Sequence, residues 1–198
     1  DIINLFESNN FDIVNGKILF KKLVIKIIEN TCFKNNLKLQ EKQISIMVNT
    51  VNSFVIDCVR ILSEKFKSLN VVTNNINYFK PLKEKLWEEK GIIITITNNR
   101  KKALSKADFI LNVDVPEELI NRYTIYDDAI LINLEENVKI KKKRFCGEII
   151  NNYDFSAMES SKLEEFLSKE EYQRYDKKDL TEVYIANNPE EIENIIIT

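Results

Sequence analysis

The sequence contains no histidine. That absence excludes a serine–histidine or cysteine–histidine nucleophile system, a histidine proton shuttle and any histidine-ligated metal within this chain. Acid–base chemistry would have to come from Asp, Glu, Lys, Tyr or Cys side chains. The cysteines are far apart, which predicts reduced thiols rather than a disulfide framework or a zinc cluster; they are Cys32, Cys58 and Cys146.

Glycine and proline are scarce, with 3 of each in 198 residues, whereas Asn, Ile and Lys are abundant. No apolar run approaches the roughly 18 residues of a membrane-spanning helix, and no signal-peptide pattern opens the chain. The formal net charge of −2 gives no overall attraction to nucleic acid or to an anionic membrane. We therefore expect a cytoplasmic globular protein that binds neither nucleic acid nor membrane.

Between residues 44 and 134, short apolar runs alternate with helical patterns, and short polar links join them. Buried strands are predicted at residues 44–48, 70–73, 92–97, 108–113 and 129–134. Helices are predicted at residues 52–66, 77–90 and 100–106, with another beginning at Pro116 and an earlier one at 17–30. This alternation predicts an α/β fold with a doubly wound parallel sheet of strand order 3-2-1-4-5, whose switch point lies between the first and fourth strands.

The stretch Ile44–Leu62 has the order strand, polar turn and helix, which is the opening of a dinucleotide-binding βαβ unit. Its turn contains no glycine, because Asn49, Val51 and Phe54 stand where the glycines of G-x-G-x-x-G belong. Val51 would place a branched side chain where the diphosphate lies, and Phe54 would alter the packing of helix against strand. The backbone amides at Thr50–Ser53 still offer a helix N-terminus to an anion.

Residues 44–134 resemble the dinucleotide-binding domain of the shikimate dehydrogenase and glutamyl-tRNA reductase type. The resemblance rests on the helix before the first strand, on the polar patch Thr73–Asn75 after the second strand, and on the segments 103–112 and 127–133. In these enzymes the polar patch contacts the adenosine ribose or its phosphate, and the segment similar to 103–112 approaches the nicotinamide. The patch here lacks the arginine that favours NADP, and the second strand lacks the acidic residue that holds NAD. As a whole, the chain also resembles clostridial proteins of Rossmann-like fold with a degenerate glycine loop.

The resemblance implies a cofactor site at the carboxyl ends of these strands, with NAD and NADP as candidates that the missing glycines disfavour. The implied cofactor-binding residues are Asn49, Thr50, Asn52, Ser53, Thr73, Asn74 and Asn112. Asparagine stands at the end of every predicted strand, at positions 49, 74–75, 98–99, 112 and 133. A ring of amides could hold a neutral or sugar-like ligand. Asparagine is also favoured in such turns because it caps helices and tolerates the left-handed conformation.

The remaining candidates are acidic residues and thiols. Asp114, Glu117 and Glu118 could form an acid pair or bind a cation, although a helix start or a solvated acidic face is the simpler interpretation. Cys58 falls on the apolar side of a predicted helix and is assigned to the core. Cys146 is interpreted as a buried structural cysteine rather than a reactive thiol.

The segments outside the alternation carry many charges. The basic amphipathic helix at 17–30 could lie on a membrane, but its place before a sheet favours packing. The basic run at 139–144 could contact phosphates or form a solvated loop before a last strand. A helix at 156–178, a short strand at Thr181–Ala186 and a helix start at Asn188 follow. We divide the chain into an N-terminal helical segment at 1–43, a Rossmann-like domain at 44–155 and a C-terminal helical segment at 156–198.

Three functional hypotheses follow from these patterns. The first is a module without redox chemistry, which binds a ligand or interacts with another protein. The second is an NAD(P)-dependent oxidoreductase of the shikimate dehydrogenase type with a glycine-free phosphate loop. The third is a scaffold for self-association, which would form a homo-oligomer. The first predicts that NAD and NADP leave the melting temperature unchanged, whereas the second predicts that they raise it.

Overall fold

The computed structural model of the protein describes residues 16–135, 137–158, 163, 176–188, 190–191 and 195–197. Within these residues, helices and strands alternate from the first strand to the last. The elements are α1 (Gly16–Lys34), a 3₁₀ turn (Leu39–Glu41), β1 (Gln43–Met47), α2 (Ser53–Lys65), β2 (Ser68–Val72), α3 (Ile76–Lys90), β3 (Thr95–Thr97), α4 (Arg100–Leu104), β4 (Phe109–Asn112), α5 (Glu117–Ile120), β5 (Ile130–Asn133), β6 (Ile149–Ile150) and α6 (Lys177–Asn187). The part of the chain predicted to alternate does so, and each predicted strand is present there.

The strands form one parallel sheet in the order β3-β2-β1-β4-β5-β6. In the middle of the sheet, Ile46 of β1 lies opposite Val71 of β2 and Leu111 of β4. All residues of β4 and β5 are buried, as expected for parallel strands that helices cover on both faces. The predicted doubly wound α/β sheet is confirmed, and β6 extends it by one strand beside β5.

The third predicted strand is longer than the real one. Residues 92–97 form a continuous apolar and β-branched run, yet only Thr95–Thr97 pairs with β2. Gly91 ends α3 in the left-handed conformation (φ 66°), and its N–H and that of Ile92 bond to the last turn of the helix. Residues Ile92–Ile94 connect α3 to the edge of the sheet, and Ile93 among them is 69% exposed. The expectation of burial on both faces is wrong for this strand.

Helix α2 begins where its N-cap residue satisfies a free backbone amide. The Asn52 side chain accepts the N–H of Val55 at 3.0 Å. Helical spacing then turns an apolar face inward, which consists of Val55, Cys58, Val59 and Leu62. Burial, and then the negative charge of Asp57, raises the pKa of the Cys58 thiol to about 12. The assignment of Cys58 to the core is confirmed.

Contacts divide the described chain into two compact units. Residues 31–152 form the first, which contains the whole sheet; the described parts of 1–30 and 153–198 form the second. In the second unit, the ring of Phe20 stacks on Tyr153, and Tyr153 stacks on Phe155. The sequence division at 43/44 and 155/156 stays a prediction. Among the described helices, none is both long enough and apolar enough to cross a membrane.

The short strand predicted at Thr181–Ala186 is wrong, because these residues belong to α6. Asp176 caps this helix by accepting the N–H of Lys178, and the Thr181 hydroxyl donates to the carbonyl of Lys177 one turn earlier. A short alternating run with β-branched residues does not distinguish strand from helix, and here the N-cap decides. Most of the helix predicted at 156–178 lies outside the described residues, as does part of the segment that follows Asn188.

Gly147, two residues before β6, provides a test of the packing beside β5. We expect Gly147→Ala to lower the free energy of unfolding by about 3 kcal/mol, because its Cβ would lie 2.1 Å from the carbonyl oxygen of Ala129. The backbone cannot withdraw freely, since the N–H groups of Cys146 and Gly147 both donate to the carbonyl of Asp127 at 2.9 Å. Urea unfolding followed by circular dichroism measures the loss.

The matched control is Gly91→Ala. Gly91 has a positive φ, and a Cβ there meets no atom within 4 Å. The expected loss is about 1 kcal/mol, the cost of the left-handed conformation alone. Equal losses for the two variants would contradict the close approach of residue 147 to Ala129.

Candidate functional site

The crevice between β1 and β4 is the place where this topology puts a ligand. The connection after β1 leads to β2 on one side of the sheet, and the connection after β4 leads to β5 on the other. Ligands of open α/β sheets bind outside the carboxyl ends of the strands at such a switch point. The residues that matter are therefore those that follow Met47 and Asn112, the last residues of the two strands.

Asp114 bridges this crevice. It follows β4, and its carboxylate accepts the N–H of Asn49 through Oδ1 and the N–H of Thr50 through Oδ2, both at 2.6 Å. The Asn49 side chain donates in return to the main-chain carbonyl of Asp114 at 3.2 Å. Charge-assisted bonds of this kind are the stronger ones among protein hydrogen bonds. The anion that binds the amides of the β1–α2 turn is thus a side chain of the protein itself.

The turn between β1 and α2 reaches the helix without the conformation that glycine supplies. In the described chain, Asn36 is the non-glycine residue with positive φ, so the turn 49–53 uses none. Asn52 and Ser53 are exposed at the helix start, and Val51 is half-buried. The turn therefore needs no glycine, because none of its residues adopts the left-handed backbone conformation that would strain a larger side chain.

The polar patch after β2 is tied to its neighbours. Thr73 is buried, and its hydroxyl accepts the N–H of Asn75. The side chain of Asn75 donates to the carbonyl of Asn49 at 2.6 Å, which links this patch to the β1–α2 turn. Asn74 accepts a bond from the guanidinium of Arg100 at 3.0 Å. The patch therefore holds the ends of β1 and β2 together with the start of α4.

Asn112 and Asn133 begin a chain of buried amides across the ends of β4, β5 and β6. The Asn112 side chain accepts the N–H of Val115 at 3.0 Å and donates to Val115 O at 2.9 Å. Its amide also lies 3.3 Å from Asn133 Oδ1, and Asn133 donates to Asn151 at 2.9 Å. Asn151 in turn pairs with both main-chain groups of Val138. These bonds satisfy the amides without a ligand.

The structure thus brings some of the predicted cofactor-binding residues together and sets others apart. Asn49 and Thr50 contact Asp114, and Thr73 and Asn74 lie beside them through Asn75. Asn52 and Ser53 start the helix, whereas Asn112 is only 2% exposed. Binding of a cofactor by these residues stays a prediction. Sequence reasoning placed Asp114 after the fourth strand, as an acid pair or cation ligand with Glu117 and Glu118, and missed its bonds to the β1–α2 turn.

Glu117 is engaged in an ion pair elsewhere on the surface. Its carboxylate lies 2.7 Å from the ammonium of Lys141 and also accepts the N–H of Lys139. The hydrogen bond from Lys141, more than the other neighbours, lowers the pKa of Glu117. In the described residues, no group of three or more Cys, Asp and Glu side chains is arranged to hold a metal ion. Glu117 therefore acts as an anchor for the basic run.

The interpretation of Cys146 as a buried structural cysteine is wrong. Cys146 is exposed, and its thiol donates to Asp128 Oδ1 at 2.9 Å. The next residue, Gly147, lies so close to the backbone of Ala129 that a larger residue at position 147 would clash with it. The bond to Asp128, then burial and the charges of Asp128 and Asp127, raises the pKa of this thiol.

No family model matches the chain, and no curated protein matches it either. Three solved structures are similar. A shikimate dehydrogenase in complex with NADP+ is 14% identical, with a TM-score of 0.45 over 63% of this chain and 48% of that one. Glutamyl-tRNA reductase from Methanopyrus kandleri is 10% identical, with a TM-score of 0.41 over 93% and 44%. A chorismate mutase/shikimate 5-dehydrogenase fusion protein from Clostridium acetobutylicum is 13% identical, with a TM-score of 0.37 over 89% and 62%.

Shikimate dehydrogenase and glutamyl-tRNA reductase, the two types that the sequence was expected to resemble, are among these similar structures. The chain spans less than two thirds of the length of each of these structures.

Cys146 provides a test of the local electrostatics. We expect iodoacetamide to alkylate Cys146 in the folded protein and to spare Cys32 and Cys58, which are buried. The reaction should be slow near pH 8, because a raised pKa leaves less thiolate. Asp128→Asn removes the nearest charge and lowers the pKa, so the rate at that pH rises by about threefold per unit of decrease.

Mass spectrometry of the alkylated protein against pH gives the midpoint for each variant. Glu88→Gln, an exposed position distant in sequence, controls for the change in net charge. A midpoint that stays in place in Asp128→Asn would contradict the bond between Cys146 and Asp128.

Proposed function

We propose that this chain is a non-catalytic Rossmann-like module that binds a ligand or a protein partner and does not carry NAD or NADP in the usual pose. The observation that supports this most directly is the carboxylate of Asp114 on the amides of Asn49 and Thr50. Those amides are the groups that would receive a pyrophosphate. The residues present therefore do not fit a dinucleotide at this turn.

Displacing Asp114 has a cost that a dinucleotide would have to meet. Because the two hydrogen bonds are partly exposed to water, we assign each a contribution of about 1 kcal/mol, which is less than the value for buried bonds to charged groups. Their loss would weaken binding by roughly thirtyfold. The displaced carboxylate would remain close to an incoming diphosphate and would repel it. The branched side chain of Val51 narrows the approach further.

The competing hypothesis is an NAD(P)-dependent oxidoreductase of the shikimate dehydrogenase type. The strand order and the start of α2 directly after β1 favour it, because they are the framework on which dinucleotide sites are built. Binding would then require Asp114 to leave the turn. From composition we further propose a cytoplasmic location, with a small molecule, a protein or a second copy of this chain as the partner, rather than nucleic acid or membrane.

The test is the melting temperature with NAD or NADP in millimolar excess. We expect no change that depends on the β1–α2 turn, whereas a ligand at about 100 times its Kd would add about 2.7 kcal/mol of stability and raise the melting temperature by several degrees. A rise that persists when Lys143 and Arg144 of the basic run are both replaced by Gln would contradict the proposal and favour the oxidoreductase.

The variant Asp114→Asn tests whether the carboxylate of Asp114 is what keeps a dinucleotide from the β1–α2 turn. The amide keeps one acceptor for the turn and loses the charge, so we expect a loss of about 1 kcal/mol in stability. We also expect any weak affinity for NADP to increase relative to the natural protein. Glu135→Gln, which lines the same small cavity as Asp114, removes a charge without freeing the turn and should leave NADP affinity unchanged.

A further inference from the structure

The opposite edge of the sheet carries a cleft that none of the preceding functions uses. We call it the basic cleft. Its volume is about 640 Å³, within the range of small-molecule sites. It is formed by segments that lead into β4, β5 and β6, and so lies away from the carboxyl ends of the strands. The lining residues that matter below are Arg122, Tyr123, Tyr126, Lys142, Lys143 and Arg144.

The charge of this cleft stands out against the whole chain. Its lining holds four cationic side chains and one carboxylate, that of Asp127, whereas the chain carries a formal net charge of −2. A local excess of cations within an acidic protein concentrates anions at one place. The sequence showed a basic run here, but only the fold adds Arg122 from a separate segment.

The walls of the cleft are fixed in advance by hydrogen bonds. The ammonium of Lys142 donates to the carbonyl of Tyr123, and the N–H of Lys141 donates to Asn121 at 2.8 Å. The Asn121 side chain donates back to the carbonyl of Lys139 at 2.9 Å. Lys142 holds the two walls together through this bond, and its burial lowers the pKa of its ammonium group. A site whose walls are already ordered loses less entropy on binding.

Hydrophobic packing supports the same walls from below. Ile125 is buried in the core that Ile110 and Leu131 of the central strands form, and Tyr123 and Phe145 pack against it. The segments on either side of the cleft therefore rest on the sheet rather than on each other alone. Tyr123 also has the guanidinium of Arg100 over its ring, at 5.4 Å from the centroid.

Three of the cations remain available for a ligand. Lys141 is paired with Glu117, and Lys142 is bonded to a carbonyl. By contrast, the described part of the chain provides no ion pair or hydrogen bond to the side chains of Arg122, Lys143 and Arg144. Two guanidinium groups and an ammonium can bind several phosphoryl oxygens at once, since arginine forms bidentate pairs and lysine acts as a point charge.

We propose that the basic cleft binds a phosphorylated small molecule, with Arg122, Lys143 and Arg144 contacting its phosphoryl oxygens. Tyr126, which is 39% exposed, and Thr124 line the same cleft and can contact the rest of the ligand. The volume accommodates more than a single phosphate group. This site does not depend on whether the β1–α2 turn binds a dinucleotide.

Calorimetric titration with inorganic pyrophosphate at low salt tests the proposal. We expect saturable binding by the natural protein, weakened as salt is raised because the contacts are electrostatic. The double variant Lys143→Gln/Arg144→Gln should weaken binding at least tenfold. Lys80→Gln/Lys83→Gln, which removes the same charge from the exposed face of α3, should change it less than twofold. Circular dichroism verifies that both variants are folded.

Two further arms identify the source and the place of binding. Adenosine monophosphate and diphosphate, compared with pyrophosphate, show whether a base adds affinity. Asp114→Asn should leave unchanged the pyrophosphate binding that Lys143 and Arg144 provide, and any added binding at the opened β1–α2 turn would persist in Lys143→Gln/Arg144→Gln; loss of the first kind of binding in Asp114→Asn would overturn the proposal. No binding at millimolar pyrophosphate, equal losses in the two double variants, or binding confined to an oligonucleotide or to anionic vesicles would overturn it as well.

Discussion

The backbone N–H groups that follow β1 need an acceptor, and in this chain a carboxylate from the neighbouring strand supplies it. In dinucleotide-binding domains the equivalent amides donate hydrogen bonds to the pyrophosphate of the ligand. Here Asp114 engages them from the end of β4, and the bond from Asn49 to the Asp114 carbonyl completes the link. The connection joins the two strands at the switch point, so this turn contributes to the stability of the sheet.

Hydrogen bonds within the protein also satisfy the polar side chains at the carboxyl ends of the other strands. Asparagines that could form a ring of ligand-binding amides bond to main-chain groups, to each other and, at Asn74, to the guanidinium of Arg100. In the described residues, no buried side-chain nitrogen or oxygen lacks a hydrogen-bond partner. Because an unsatisfied buried group is costly, asparagine at a strand end has a structural reason that precedes any functional one.

Much of the fold could be predicted from the sequence, because buried parallel strands need continuous apolar runs and right-handed crossovers restrict their order. What failed depended on context. Residues 92–94 have the composition of a central strand but lie in a connection to the sheet edge. Residues 181–186 follow a helix cap that outweighs their β-branched character. Cys146 is exposed and bonds to Asp128, a neighbour that its position in the sequence does not reveal.

The candidate site was less predictable than the fold. The absent glycines were visible, but the bond from Asp114 joins residues 65 positions apart in sequence and depends on β1 and β4 being neighbours. Arg122 joins the basic run for the same reason, since only the order of β4, β5 and β6 brings their leading segments together. Sequence spacing can indicate which residue types are available, whereas the partners of each are set by the sheet.

The outer strands of the sheet have a consequence for how this protein can meet another. One border, β3, is three residues long and the other, β6, is two. Short borders leave few unpaired main-chain groups, which is one way that natural sheets avoid pairing edge to edge. An incoming strand would find almost no template for extension of the sheet. A protein partner, or a second copy of the chain, would therefore have to recognise side chains rather than backbone.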